Sequence, residues 1–290
     1  MRRGIRPLLP GHPSSVRTIA GVRMPALVPV VVAILAAGCG TQEFEDERDA
    51  AQGPGGVPPV AVEGGGELVS RQVSERCELP RKERLGTARV AYAARAKGTV
   101  AAFRRPGGPR LRTFDQKNAN GVGTVFGVLA TLIDRECRLV WYRVQLPIRP
   151  NGATGFVRAD RVTLLLVRTR IEVDLSERRI DFFRNGHRVL RASAAIGTQA
   201  TPTPVGRYYV NQRLLASDAS GPFGPGAIGI SAFSPVLTGW AQGGPIAIHG
   251  TNDPSSIGKA ASYGCLRIEN RHLARMLYAN PEGTPVVIRE

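Results

Sequence analysis

From about Gly86 onward, short apolar runs alternate with turn residues at a spacing that suits strands better than helices. Between Gly86 and Leu166 the runs ARVAYAARA, GTVAAF, GTVFGVLATLI, LVWYRVQL and GATGFVRADRVTLL predict a small β-barrel, with Trp141 packed inward on its strand. Ile171–Ser176 and Arg179–Arg184 also alternate, and Asn185-Gly186 after them is a strong two-residue hairpin signal. Thr201–Gly206 leads into a further strand at Arg207–Gln212. Leu214–Gly226 has turn chemistry without a period, and is read either as a loop beside a cleft or as an ordinary surface connection. Ile246, Ala247 and Ile248 form a buried-looking run that delivers His249 and Gly250 to a loop. Leu273, Met276 and Leu277 recur at helical spacing, so a short helix capped by Asn270 and ended by Pro281 is expected, followed by a last strand at Thr284–Arg289. The fold class is mainly β: a small barrel over residues 86–167, then a β-rich domain with one short helix over residues 168–290.

The chain before Gly86 has a different character. Met24–Gly38 is a fifteen-residue apolar run behind several arginines and ends at Cys39. It is short for a span of about 20 residues and has small residues after its apolar centre, which is the pattern of a signal peptide over residues 1–38. The box Leu35-Ala36-Ala37-Gly38-Cys39 resembles a bacterial lipoprotein cleavage site, with the large aliphatic residue one place early. An uncleaved membrane anchor is the competing reading. Residues 39–85 are acidic and then rich in Gly and Pro, and read as a flexible tether.

Charge narrows the partners. The formal net charge is +16, and residues 1–38 hold five of the 39 basic residues and none of the 23 acidic ones, which leaves +11 from Cys39 onward. The arginines are scattered over the strands without a nucleic-acid motif, so an anionic envelope is favoured over nucleic acid. Four cysteines fit an oxidising compartment: Cys39 lipidated, Cys265 reduced, and Cys77 with Cys137 left as a possible disulfide. The histidines His12, His187, His249 and His272 are too dispersed to hold a metal, and none is expected.

Chemistry concentrates between Pro245 and Asn270. A free cysteine is mostly protonated at neutral pH, and a neighbouring imidazole can take its proton to form an ion pair. His249 and Cys265 have those types. Gly264 leaves room for close backbone approach, and the amides of Gly264 and Cys265 can aim at an oxyanion. Arg267 shares an extended face with Cys265 and can pair with a substrate carboxylate. Taken singly, a cysteine or histidine is more often a packing residue.

Taken together, H-G-T-N-x-P-x-S-I-G-K-x-x-S-x-G-C-x-R, from His249 to Arg267, resembles the active-site signature of the L,D-transpeptidase (YkuD-type) catalytic domain. The VDLS, NG and TPTPVG features extend the resemblance to Glu290. It implies Cys265 as the acylated nucleophile, His249 as its base, Ser262 with the Gly264 turn and Gly250 as support for the oxyanion pocket, and Arg267 as a substrate contact. Tyr263 stands where many relatives carry a second histidine, and is counted with the same support because its hydroxyl can still donate a hydrogen bond. The implied reaction joins third-position residues of peptidoglycan stem peptides with loss of D-alanine, needs no cofactor, and is open to carbapenems. Water or a protein amine as acceptor, and a non-catalytic wall-binding lipoprotein, are the alternatives. Trp141 and the Gly152–Val157 turn resemble the closing strands of bacterial Src-homology-3-like domains. The implied place is the cell envelope, held to the membrane by a lipid.

Overall fold

The computed structural model of the protein describes residues 82–290 except Ala88. The signal peptide, Cys39, nearly all of the tether and Cys77 lie outside the described residues. Two eight-stranded sheets account for most of what is described.

The amino-terminal sheet is built from β1 (Lys82–Arg84), β2 (Ala91–Ala96), β3 (Val100–Phe103), β4 (Arg110–Phe114), β5 (Val125–Ile133), β6 (Leu139–Gln145), β7 (Thr154–Arg158) and β8 (Val162–Val167). Its hydrogen-bonded order is β4-β3-β7-β6-β5-β2-β8, with β1 added to β5 and all pairs antiparallel. β1 lies within the stretch expected to be tether. Its sequence Lys-Glu-Arg has no apolar alternation, so the strand exists through backbone pairing to β5 and leaves no pattern to read. Elsewhere the period of two is plain: Tyr142 and Val144 face the core with Val100, Phe126 and Val157. The same period sends Trp141 to the other face, against expectation. There it stands edge-on to Phe103, ring centroids 5.5 Å apart, under the Arg158 guanidinium.

The carboxy-terminal sheet comprises β9 (Thr169–Asp174), β10 (Arg179–Arg184), β11 (His187–Ser193), β13 (Gly206–Leu215), β14 (Gly226–Phe233), β15 (Pro245–His249), β17 (Leu266–Arg267) and β18 (Pro285–Arg289), in the order β11-β10-β9-β18-β13-β14-β15-β17. β12 (Ile196–Gly197) and β16 (Ala260–Ser262) form a separate parallel pair. The β10–β11 hairpin turns where expected, with positive φ at both Asn185 (52°) and Gly186 (85°), as that turn requires. Strand pairs β9–β18 and β15–β17 are parallel.

The helix α1 (Asn270–Ala279) lies against β14 and β15. Ten residues are too few for a stable isolated helix in water. Burial of Leu273, Met276 and Leu277 holds it, each side chain contributing about 1.5–3 kcal/mol relative to exposure. Asn270 does not cap it as expected: its side-chain oxygen accepts instead from the Thr251 amide at 2.8 Å. His272 on this helix is only partly exposed and has a buried Nδ1.

Tyr209 on β13 joins the sheets. It is 1 % exposed, its hydroxyl donates to the Val125 carbonyl at 3.0 Å, and its ring covers Gly127, where a Cβ would meet it at 3.0 Å. Asn118 and Asn120 both donate to the Gln212 side-chain oxygen across the same junction.

Candidate active site

β15 and β17 pair in parallel with Ile248 opposite Leu266 and His249 opposite Arg267. Ile246, Ile248, Leu266 and Ile268 turn into the core and are essentially fully buried. Alternation then sends Ala247, His249, Cys265 and Arg267 to the opposite face. The register sets Cys265 beside Ala247, with His249 diagonally across from it and Arg267 next to both. Apolar residues at every second position thus place the three polar ones together.

The turn before β17 is held from several sides. Ser262, 2 % exposed, donates through Oγ to the Cys265 carbonyl (2.5 Å) and accepts from the Gly264 amide (3.1 Å). Gly264 has φ of 110°, a conformation that side chains rarely adopt, and a Cβ there would reach Ile246 Cδ1 at 3.0 Å. Its amide, expected at an oxyanion, is engaged by Ser262 in this structure. Below the turn lies the Thr-Pro-Thr-Pro segment. Thr203 accepts from the Gly197 amide and donates to the Gly264 carbonyl, both at 2.9 Å, while Thr201 donates to the Ser262 carbonyl. Ala195 and Arg267 exchange backbone hydrogen bonds on the outer edge.

His249 is 5 % exposed, and its Nδ1 lies 2.6 Å from the Gly250 carbonyl. A carbonyl can only accept, so Nδ1 carries the hydrogen and Nε2 keeps a free lone pair. Gly250 is required by close packing, since a Cβ would fall 2.2 Å from Asn270 Oδ1. Phe223, from the loop of uncertain role before β14, sets its ring 4.9 Å from the imidazole and places that loop beside the site.

Burial pushes the Cys265 thiol up, against a downward pull from the Ala247 backbone and the Arg267 charge. Burial also takes His249 down to about 4; the bond to Gly250 opposes that fall and Arg267 adds to it. Burial thus favours the neutral forms of both side chains, while the Arg267 charge acts on them in opposite senses, favouring a thiolate and opposing an imidazolium. A neutral imidazole with a free Nε2 can accept a proton.

Tyr263 is 62 % exposed, and its ring contacts Trp240 at 5.5 Å. Among the described residues Cys265 is the free cysteine. Thr203, Phe223 and Asn270 complete the site and were not legible as parts of it: each acts through a contact between segments far apart in sequence.

Residues 168–288 match the family model of the YkuD-type L,D-transpeptidase catalytic domain. The YkuD protein of Bacillus licheniformis is 34 % identical over 119 residues, covering 41 % of this chain and 64 % of the relative. That of Bacillus subtilis is 36 % identical over 94 residues, covering 32 % and 49 %. The matched stretch thus spans about half to two thirds of these relatives. Among solved structures, an L,D-transpeptidase from Mycobacterium smegmatis is 15 % identical with a TM-score of 0.36, covering 57 % of this chain and 90 % of that one.

Proposed function

We propose that this protein is a peptidoglycan L,D-transpeptidase of the cell envelope. The observation that carries the reading is the shared face of β15 and β17, where a neutral His249 with a free Nε2 stands diagonally from the half-buried Cys265, inside the segment that matches the catalytic-domain model.

Cys265 attacks the carbonyl of the third stem residue while His249 Nε2 takes the thiol proton. The tetrahedral oxyanion collapses to a thioester, and terminal D-alanine leaves as its amine receives that proton. A side-chain amine of a second stem then attacks the thioester, forming a third-to-third amide and returning the proton to sulfur. Arg267, on the same face, pairs with the stem carboxylate. The Cys265 amide is the oxyanion donor, since Gly264 is held by Ser262. All of these roles are filled by the chain's own side chains and amides.

In the same reading residues 39–81 tether a lipidated Cys39 to the folded part, and Cys77 closes a disulfide with Cys137, which is not a free thiol. The amino-terminal sheet is a Src-homology-3-like module.

Incubating the protein with a disaccharide tetrapeptide and weighing the products tests this. The expected product is a dimer whose mass is that of two substrates less one D-alanine, released alongside it. Tripeptide as the sole product would mark a hydrolase, and unchanged substrate a binding protein. Cys265→Ala is expected to lower product formation at least about 1,000-fold, because the covalent step has no other sulfur to use.

A further inference from the structure

The loop from Ser234 to Gly244 joins β14 to β15 and so runs directly into the strand that ends on His249. Its neck is closed by the Ser234 amide donating to the Gly244 carbonyl at 2.8 Å. The amino-terminal sheet grips that neck. Arg149, in the connection between β6 and β7, donates through one terminal nitrogen to the Ser234 and Gly243 carbonyls, both at 2.7 Å, and lies over the Phe233 ring at 5.4 Å. Asn151 pairs both backbone groups of Phe233, donating to its carbonyl at 2.8 Å and accepting from its amide at 2.9 Å. Gln242 and Asn120 exchange a side-chain bond at 3.0 Å.

The far end of the loop is held differently. Val236 and Trp240 are exposed there, and the ring contact made by Trp240 is with Tyr263, two residues before Cys265. A loop fixed at its base by the other sheet and resting by one ring beside the nucleophile transmits the position of the base to the site. Bonds from a charged donor to carbonyls are stronger than neutral ones, which makes Arg149 the principal anchor.

We propose that Arg149 is a positioning residue for the thiol chemistry: it sets the Ser234–Gly244 loop so that Trp240 stands against Tyr263 beside Cys265, and acylation by a stem peptide therefore depends on both sheets. The inference rests on Cys265 being the acylated nucleophile.

The chain has two tryptophans, so Trp141→Phe in the full-length protein leaves Trp240 as the sole indole. In that background Arg149→Ala is expected to raise quenching of Trp240 by acrylamide about two-fold and to lower kcat/KM for tetrapeptide acylation about three- to ten-fold, the worth of the exposed ring contact through which it acts. Alkylation of Cys265 by iodoacetamide should change less than about two-fold, because the thiol's own surroundings are kept. Arg149→Lys keeps the charge with a shorter reach and should fall between. Trp240→Ala should cost about as much as Arg149→Ala, and the double variant no more than either, since residues acting in one unit are not additive. Independent, additive losses, or unchanged Trp240 quenching in Arg149→Ala, would overturn the proposal while leaving the transpeptidase reading intact. A wild-type protein that leaves the tetrapeptide untouched overturns that reading itself.

Discussion

The two sheets have equal strand numbers but bury different things. In the amino-terminal sheet the interior is mainly alanine and valine around Phe126, and its buried polar residues are two threonines, Thr124 and Thr131. The carboxy-terminal sheet buries His249, Ser262, Thr203, Thr251, Ser256, Asp181 and Asn280 among others. Thr203 and Ser262 bond the backbone of one turn, and His249 across from it bonds the carbonyl of Gly250. A buried polar group without a partner costs free energy, so a cluster of satisfied ones marks where a backbone must be held still. The second sheet, not the first, holds the Ser262–Cys265 turn in place through side-chain bonds. The ion pairs divide the same way: Asp160 of the first sheet is exposed beside Arg158 and Asp134 is partly exposed beside Arg138, whereas Asp181 of the second is buried, as is His249.

The sharpest break in that contrast is His249→Gln. Loss of the base is expected to lower acylation about 100- to 10,000-fold, measured as acyl-enzyme formed per second by mass spectrometry. The same variant separates the sheets by pH. An imidazole brought from its ordinary 6.5 down to about 4 resists protonation in the fold, so the unfolded chain binds more protons between those values. Stability is complete above pH 6.5 and falls as the pH drops through that window, by about 3 kcal/mol in all. Chemical denaturation of the wild type at pH 7 and pH 4.5 should show most of that loss, and His249→Gln should remove the larger part of it, leaving the share of His272, which burial also holds below 6.5. Asp181 does not confuse the result. Burial raises its carboxyl, but Arg191, Arg179 and Arg188 together bring it below the usual 3.8, so its contribution is lost only at lower pH.

Next in size is Thr203→Val. Removing the hydroxyl leaves the Gly197 amide and the Gly264 carbonyl without their partner in a buried place, at a cost of about 1–3 kcal/mol. A melt should show it as a lowered midpoint. A valine-for-threonine change at Thr131 in the other sheet, where no such pair of backbone groups depends on the side chain, should shift the midpoint by less.

What could be read from the sequence follows from range. Ile246, Ala247, Ile248 and His249 alternate within five residues, and the turn from Ser262 to Arg267 is as local, so the site's three polar residues were visible in order. Asn185-Gly186 was legible because the turn's dihedrals are a property of those two residues. Trp141 was misplaced because a large apolar residue suits either face, and only the strand's phase, set by Tyr142 and Val144, decides. β1 carries no apolar signal at all. Residue types also do not disclose burial, which in this fold favours the neutral forms of both Cys265 and His249 over the ion pair that their types suggest. Arg149 is more than eighty positions from the carbonyls it bridges, and no local pattern could have linked them.

The smallest expected effect is at Tyr263, and it sharpens the comparison by separating ring from hydroxyl. The side chain is 62 % exposed and its hydroxyl has no hydrogen-bond partner among the described residues, while its ring meets Trp240. Tyr263→Phe keeps that ring pair and should leave acylation within about two-fold of wild type, since an exposed hydroxyl exchanges one set of water contacts for none of structural value. Tyr263→His keeps a smaller planar ring and should lie close by. Tyr263→Ala removes the surface on which Trp240 rests, and an exposed aromatic pair is worth about 0.5–1.5 kcal/mol, so a loss of about three- to ten-fold in kcat/KM is expected. A Tyr263→Phe variant as impaired as Tyr263→Ala would mean that the hydroxyl meets the substrate. In that case position 263 would carry a polar role that the ring contact alone does not explain.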